Sequence, residues 1–393
     1  MLFIQAMIMR GWLSWEGRGR VRLGPILTVV AYALVVFGLL HNLSVSWRLY
    51  SRVPLSDTGQ YADAARESRR FYDSGFREPV PVFMVKVYQS AGLSDESSVR
   101  VSSVVMGLVA LAFLLFLAAS RFGTLAALVA GVLYAVNPFV GFYGVSGSNN
   151  IMSGVFLMAL FFLITGERLP LGRAALAGFL GALAALTRLE GLAIVPLMLV
   201  AAVGLHFSRE RLKGSFLAGV VFVAFCAPYL MHQYARYGHP FHSHTVHARF
   251  WRNTAQGRLA DRYAETGPDA VSPLSRGVGP VESLRRMSVG YRKAFSHYLP
   301  RLIHYRIGLI FFLLGMVFLL LGKDYFTVLC LPIILLPVSF ILPLDQAYPG
   351  SGVEMRFVTN LLWLVCLIAG IGAKDVVALL LAKKRNKKPQ AVT

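Results

Sequence analysis

Charged residues are scarce in this sequence, and their scarcity excludes an ordinary soluble domain. Only 15% of the 393 residues are Asp, Glu, Lys or Arg, whereas 56% are hydrophobic. So few polar side chains cannot cover the surface of a soluble protein of this length. The chain is therefore predicted to be an integral membrane protein.

Cysteines and the common catalytic signatures are also rare or missing. The three cysteines, Cys226, Cys330 and Cys366, all lie inside hydrophobic runs, so neither a disulfide framework nor a cysteine zinc site is encoded. The sequence has no GxxxxGK[ST] phosphate loop, no GxSxG turn and no HExxH pair. Nucleotide hydrolysis, serine hydrolysis and the commonest zinc peptidase chemistry therefore lack their parts.

Long hydrophobic runs are what the sequence does have. A helix needs roughly 20 apolar residues to cross a hydrocarbon layer about 30 Å thick. About ten such segments occur, at 24–45, 99–119, 122–137, 150–165, 172–187, 190–206, 214–231, 302–322, 324–343 and 357–382. The predicted fold class is an all-α polytopic membrane protein with about ten transmembrane helices.

The distribution of basic residues predicts the orientation, because Lys and Arg in short loops mark the cytoplasmic side. With both termini in the cytoplasm, the short outer loops hold only Arg188 and Arg356. The inner loops then hold Arg18, Arg20, Arg22, Arg121, Arg168, Arg173, Arg209, Arg211, Lys213 and Lys323. The net charge of +20 therefore suits a lipid bilayer in the cell (inner or plasma) membrane, and no nucleic-acid partner is predicted.

The same segments predict the organisation of the chain. A cytoplasmic segment (1–23) precedes a transmembrane module (24–231) that includes a long outer loop (46–98). A second outer loop (232–300), C-terminal transmembrane helices (301–382) and a basic cytoplasmic tail (383–393) follow. Long ordered loops usually carry function, so the two outer loops are where a site is expected.

An amphipathic surface helix is predicted in the first outer loop. Apolar and charged residues alternate at helical spacing from Tyr61 to Tyr72. Asp57, with Gln60 three residues later, resembles a helix-capping signature. Gly75 is predicted to end the helix, and the two prolines that follow to prevent its continuation.

Asp57 is the first candidate for catalysis. A group-transfer reaction at a membrane surface needs a base that is charged at neutral pH, and an ordinary aspartate is ionised there. An aspartate just before a helix can equally serve as its N-cap. Both roles are compatible with the local sequence.

Three more ionisable residues stand out at the edges of apolar runs. Arg188 and Glu190 flank a tight turn, and such groups persist at membrane depth mainly as pairs or in water-filled cavities. If that turn lies among the headgroups, both residues are simply interfacial. Arg356 begins the last apolar run, where its guanidinium could hold a phosphate or reach ordinary lipid phosphates.

The only dense histidine cluster comprises His239, His242, His244 and His247. Histidine is a common zinc ligand, but this spacing matches neither a helical ligand pair nor a zinc finger, and no cysteine is near. A surface loop or a substrate-cavity wall is the favoured interpretation. No metal site is predicted.

Taken in chain order, these motifs resemble the GT-C superfamily of membrane glycosyltransferases, with the protein O-mannosyltransferases and the lipid A aminoarabinose transferases as the nearest groups. The motifs are Asp57, Tyr61, Ala65, Gly75, Glu78-Pro79, Asp95-Glu96, Arg100, Asn137-Pro138, Thr187-Arg188-Leu189-Glu190-Gly191, Arg236-Tyr237-Gly238-His239-Pro240 and Arg356-Phe357. They span most of the chain.

This resemblance implies a metal-independent enzyme without a cofactor. It would transfer one sugar from a polyprenyl-phosphate donor to an acceptor of unknown identity on the outer face. Asp57 occupies the place of the family's catalytic base, and Arg356 and Arg188 would bind the donor phosphate. The cavity-lining residues implied by the resemblance are Tyr61, Glu78, Asn149, Asn150 and Glu190.

One departure from the family pattern keeps other functions open. Many relatives carry an acidic residue near the start of the fourth span, where this chain has Asn149 and Asn150. An amide can bind a sugar hydroxyl but supplies no negative charge. The alternatives are a lipid or solute transporter, or a catalytically degenerate relative that acts as an assembly partner.

Overall fold

The computed structural model describes residues 23–53, 55, 59–166, 168–243, 246, 280–340 and 353–386. Within these ranges the regular secondary structure is entirely helical. In chain order the helices are α1 (Leu23–Tyr50), α2 (Gly59–Glu67), α3 (Pro79–Ser90), α4 (Asp95–Phe122), α5 (Thr124–Ala135), α6 (Pro138–Val145), α7 (Asn149–Ile164), α8 (Leu171–Thr187), α9 (Gly191–Leu205), α10 (Arg209–Tyr237), α11 (Pro280–Lys293), α12 (Leu299–Ile303), α13 (Arg306–Leu321), α14 (Tyr325–Ser339), α15 (Val353–Val358) and α16 (Leu362–Asn386).

The hydrophobic runs of the sequence form the long helices of a bundle. Four segments are long and apolar enough to cross a membrane: Ile26–Tyr50, Asp95–Phe122, Arg209–Tyr237 and Met355–Lys383. The pair α5 and α6, bent by 58°, makes a fifth when counted as one span. Shorter apolar helices account for the remaining predicted segments. The all-α membrane fold is therefore confirmed, and the total of ten crossings stays a prediction.

The first outer loop contains two surface helices. The predicted amphipathic helix is present as α2, which buries Tyr61, Ala62 and Ala65. It ends at Glu67, well before the expected Gly75. The prolines begin a second helix, α3, because a proline in the first helical turn has no N–H to leave unpaired.

Arg100 holds the outer loop against the bundle. Its buried guanidinium donates to the carbonyls of Val53, 2.7 Å away, and Val145, 2.9 Å away. It also pairs with Glu96 at 2.6 Å. One side chain on α4 thereby joins the residues that follow α1 to the end of α6, which satisfies carbonyls that a helix end leaves without partners.

The core of the bundle lies around α16, whose residues 362–373 are all buried. Glycines allow its neighbours to approach closely. A Cβ added at Gly372 would lie 2.0 Å from the Phe311 carbonyl oxygen on α13, and one at Gly315 would lie 2.0 Å from that of Ile368. Such contacts between small residues are typical of helix packing in membranes.

Candidate functional site

The candidate site forms where α2, the start of α3, the start of α7 and the turn between α8 and α9 meet. Arg188 leaves the α8 helix in an extended conformation, and its carbonyl accepts a hydrogen bond from the Gly191 N–H at 2.8 Å. A Cβ on Gly191 would come within 2.6 Å of the Ala185 Cα atom. Only glycine therefore allows a turn this tight, and the turn holds Arg188 and Glu190 beside each other.

Five side chains form a continuous polar network in this region. Its members are Glu190, Arg188, Asn149, Tyr61 and Glu78. Arg188 donates to Glu190 Oε1 at 2.5 Å and to Asn149 Oδ1 at 3.1 Å. Asn149 Nδ2 donates to the Tyr61 hydroxyl at 2.8 Å, and that hydroxyl donates to Glu78 Oε2 at 2.8 Å. Residues from four separate parts of the chain thus form one polar network.

The hydrogen bonds of the network run in one direction, from Arg188 to Glu78. Burial raises the pKa of Tyr61, and the neighbouring Glu78 carboxylate raises it further. The phenol therefore keeps its proton and donates a hydrogen bond to the carboxylate. Asn149 also donates to the Thr187 carbonyl at 3.0 Å, which a carboxylate at this position could not do. The amide thus has a structural reason to stand where the resemblance predicts an acid.

Burial makes this network electrostatically strong. The exposed fractions of Glu78, Asn149 and Arg188 are 6%, 8% and 8%. Charges removed from water interact more strongly and are costly to leave unpaired. The Arg188 and Glu190 pair accordingly supports the interpretation that this turn faces the protein interior.

Arg356 and Arg188 both contact the ring of Phe357. The Arg188 guanidinium carbon lies 5.4 Å from the Phe357 ring centroid, and that of Arg356 lies 5.1 Å from it. Both distances are typical of cation–π contacts. The two guanidinium carbons can therefore be no farther apart than the sum of these two distances, which places both arginines beside the same ring.

Arg77 was not anticipated as part of the site. Its guanidinium lies 5.1 Å from the Tyr61 ring centroid and also donates to Gln60 on α2. It is buried next to Glu78. The sequence signal for Arg77 was its position directly before the Glu78-Pro79 pair. Phe357 belongs to the Arg356-Phe357 motif, but no role was predicted for its ring.

The loop around Arg77 is attached to α10. The Gln233 amide donates to the Gly75 carbonyl at 2.9 Å, and the Ser243 hydroxyl donates to the Phe76 carbonyl at 2.5 Å. Arg236 pairs with Asp73. The Arg236-Tyr237-Gly238 motif therefore supports the outer loop from outside the polar network.

The remaining predicted site residues are placed differently. Asn150 is buried, and its amide donates to the Ser148 hydroxyl at 2.7 Å at the start of α7, so this hydrogen bond does not join it to the network. Asp57 lies outside the described residues, two positions before α2 begins. Its role as the base stays a prediction.

The histidine cluster is described only in part. His239 Nδ1 accepts from the Phe241 N–H at 3.1 Å, and the His242 ring stacks on Tyr237 with centroids 4.0 Å apart. His244 and His247 lie outside the described residues. In the part of the chain that the structure covers, no group of three metal-binding side chains occurs.

A known family model matches part of the chain. Residues 77–232 match the family model for dolichyl-phosphate-mannose-protein mannosyltransferase, which is less than half of the chain. The matched segment contains Glu78, Asn149, Arg188 and Glu190. No curated protein sequence matches the chain significantly.

Comparison with solved structures covers nearly the whole chain. The oligosaccharyltransferase of Archaeoglobus fulgidus in its apo form aligns over 92% of this chain with a TM-score of 0.56 and 13% identity. The chain spans about half of that enzyme, 52% of its length. The apo structure of ArnT from Cupriavidus metallidurans aligns over 90% of this chain and 78% of its own at 14% identity. Its TM-score of 0.43 is too low to add to the fold assignment.

The family match and the archaeal structure together confirm the resemblance that the ordered motifs predicted. The archaeal enzyme supports the fold across the bundle, and the family match supports it independently for the segment that carries most of the polar network. The chain is therefore a multi-pass membrane protein with the fold of the GT-C glycosyltransferases, and within residues 77–232 it is similar to the protein mannosyltransferase family.

Proposed function

We propose that this protein is a glycosyltransferase that moves a single sugar from a polyprenyl-phosphate donor to an acceptor at the extracytoplasmic face. The observation that carries the proposal is the approach of Arg356 and Arg188 to one aromatic ring beside a buried polar network. Two guanidinium groups at the end of a membrane bundle form a suitable site for a lipid-linked phosphate.

In the proposed reaction the acceptor attacks the anomeric carbon of the sugar in a single displacement with inversion. The new bond joins the acceptor to that carbon, and the bond from the carbon to the phosphate oxygen breaks. Asp57 takes the acceptor proton, and the electron pair of the broken bond leaves with the polyprenyl phosphate. Negative charge therefore grows on the phosphate, and preorganised cations beside it lower the barrier.

The network residues would prepare the site for this step. Glu190 and Asn149 orient Arg188 through hydrogen bonds to its two terminal nitrogens. Asn149 and Tyr61 connect that arginine to α2, the helix that follows Asp57. A donor phosphate would thus meet cations whose positions are fixed before it binds, which reduces the cost of reorganisation.

The extracytoplasmic location is proposed from the charge distribution. Arg188 and Arg356 are the only basic residues predicted in the short outer loops, and both belong to the candidate site. The arginines and lysines of the predicted inner loops lie at the helix ends that point away from the site. Examples are Arg121 at the end of α4 and Arg209 at the start of α10. This pattern follows the positive-inside rule when the site faces outward.

The donor-phosphate role is tested by Arg356→Ala with a labelled polyprenyl-phosphate sugar and the purified protein. We expect the second-order rate constant for donor consumption to fall about 100-fold, the effect typical of losing one group that stabilises a growing negative charge. Arg356→Lys should recover part of that loss, because a lysine keeps the charge without the paired geometry. An unchanged dependence on donor concentration would remove Arg356 from the donor site.

A matched control is Arg52→Ala, which deletes an exposed arginine just after α1. It should leave donor consumption unchanged. If both substitutions reduce donor consumption equally, the effect of Arg356 is one of general surface charge. Movement of the intact lipid across a vesicle membrane without any product would instead support a transporter.

The base is tested by Asp57→Asn, which keeps the size of the side chain and removes its charge. We expect sugar transfer to be lost while expression and the unfolding temperature stay as in the wild type. Because a base is needed only for the acceptor, binding of the labelled donor should persist. A variant with full turnover would rule out the assignment.

A further inference from the structure

A second group of cations lies at the opposite end of the bundle from the candidate site. Asn149 begins α7, and Ile164 at its far end lines a separate cavity. A helix of 16 residues places these ends about 22 Å apart, at roughly 1.5 Å per residue. The cavity therefore does not belong to the polar network around Tyr61.

This cavity has a volume of about 250 Å³. It is lined by the ends of α4, α7, α9 and α13 and by the starts of α10 and α14. Four of its lining residues can carry a positive charge: Arg121, His206, Arg211 and Lys323. We call it the basic cavity. Asp324 is the single acidic residue of its lining, and its carboxylate caps α14 by accepting from the Thr327 N–H and hydroxyl.

Two arginines are fixed in the wall of the basic cavity. Arg121 donates to the carbonyls of Phe162 at 2.8 Å and Thr165 at 3.2 Å, at the end of α7. Arg211 donates to the Ala202 carbonyl at 2.9 Å and, through its other terminal nitrogen, to the Gly166 carbonyl. A helix end carries only about half a negative charge. These carbonyls therefore orient the guanidinium groups without neutralising them.

Arg211 has capacity left over. Its residue is 2% exposed, and its Nε atom has no hydrogen-bond partner among the described residues. A buried N–H donor without a partner can take a further acceptor. Here it belongs to a residue that lines a cavity of excess positive charge.

Lys323 is the most informative residue of the basic cavity. It occupies a left-handed conformation, with φ of 60°, in the turn between α13 and α14. Its N–H donates to the Leu320 carbonyl at 3.1 Å, which ends α13 as a glycine normally would. A non-glycine residue pays roughly 1 kcal/mol for this conformation. The strained residue of this turn is thus Lys323, the lysine that lines the cavity.

The apolar part of the lining is mainly aromatic. Phe122, Phe161 and Phe326 line the same cavity as the cations. A phosphate headgroup with a glycerol or acyl portion would find charge and apolar surface side by side. A small soluble phosphate would use the charged part alone.

We propose that the basic cavity binds a phosphate group through Lys323, Arg211 and Arg121, supplied either by an anionic phospholipid headgroup or by a soluble phosphate compound. Lysine contributes a point charge and arginine contributes directed donors, which is a common combination at phosphate sites. In the orientation proposed above, the cavity faces the cytoplasmic leaflet, where both sources are present.

The test uses the purified full-length chain in detergent at constant ionic strength. The unfolding temperature is followed against increasing phosphatidylglycerol, phosphatidylcholine or inorganic phosphate. A ligand that binds only the folded state raises this temperature in proportion to its occupancy. We expect an increase with phosphatidylglycerol, with inorganic phosphate or with both, and none with phosphatidylcholine.

Lys323→Gly is the decisive variant, because glycine adopts the left-handed turn without strain. It should keep or raise the unfolding temperature without ligand and weaken the apparent affinity for the anion about tenfold, the effect of one lost charge-assisted bond. Lys323→Arg should retain binding. The matched control is Lys213→Ala, an exposed cation in the first turns of α10 outside the basic cavity.

The outcomes separate the two sources. Stabilisation by phosphatidylglycerol alone identifies a lipid headgroup, and stabilisation by inorganic phosphate identifies a soluble anion; both support the site. The proposal is overturned if neither anion stabilises the protein. It is also overturned if Lys323→Gly and Lys213→Ala weaken binding equally, because the effect is then one of overall surface charge.

Discussion

At the scale of single residues, Tyr61 is the centre of the candidate site. Its hydroxyl accepts from Asn149 and donates to Glu78, so it joins the two halves of the polar network. We expect Tyr61→Phe to lower the free energy of unfolding by about 1–3 kcal/mol, because Asn149 and the Glu78 carboxylate each lose one buried hydrogen bond. Donor turnover should fall about tenfold or more as Arg188 loses its support.

The measurement is unfolding in a denaturing detergent, combined with donor consumption by the purified variant. Tyr88→Phe is the control, since Tyr88 lies on α3 away from the network. Wild-type stability in Tyr61→Phe would show that the hydroxyl is not engaged as described here.

Much of the site could be anticipated residue by residue, but the pairing could not. Arg188 and Glu190 stood out because charges beside a tight turn between apolar runs are costly. The sequence offers no such signal for the bond between Tyr61 and Glu78 or for the contact of Arg188 with Phe357. Those contacts join residues far apart in the chain, and only the packing of the helices brings them together.

At the scale of elements, the turn between α8 and α9 determines the geometry of the site. Gly191→Ala would place a Cβ within 2.6 Å of the Ala185 Cα atom, a backbone atom that cannot move aside alone. We expect a loss of about 1–3 kcal/mol in the free energy of unfolding, as for other overpacked positions. Displacement of the turn should also reduce donor consumption.

Gly172→Ala provides the matched control on the same pair of helices. A Cβ at Gly172 meets nothing within 4 Å. That variant should be neutral or more stable by up to about 1 kcal/mol, because alanine favours a helix. If the two variants have equal stability, the turn is looser than the structure shows.

The surface helices show how far element prediction reached. Periodicity located α2 correctly, because its buried residues recur at helical spacing. Pro79 and Pro81 were interpreted as residues that prevent a helix, although in the first turn of α3 they favour one. The difference depends on where the preceding helix ends. α2 ends at Glu67, and Tyr72 beyond it donates to the Phe225 carbonyl on α10 at 3.3 Å.

At the scale of the whole molecule, the two ends of the bundle are expected to face opposite sides of the membrane. Gln233 near the end of α10 contacts the outer loop, and Lys213 lies 20 positions earlier, about 30 Å away along the helix. Ser90 at the end of α3 is exposed in the first outer loop, which is expected on the same side of the membrane as the polar network. A reagent that cannot cross membranes should distinguish these positions.

The measurement is labelling of Ser90→Cys and Lys213→Cys in intact cells with an impermeant maleimide. Background labelling should be low, since all three native cysteines are buried. We expect Ser90→Cys to react in intact cells and Lys213→Cys only after permeabilisation. The reverse pattern would place the candidate site in the cytoplasm.

The sequence by itself determined that this is a helical membrane protein, which segments form the long helices, and which charged residues are unusual. These properties follow from composition and local spacing, because burial in lipid imposes the same demand on every apolar run. Only the tertiary structure decided which of the unusual residues meet. Tyr61, Glu78, Asn149 and Arg188 lie on separate elements, and their contacts depend on helix packing that local spacing does not specify.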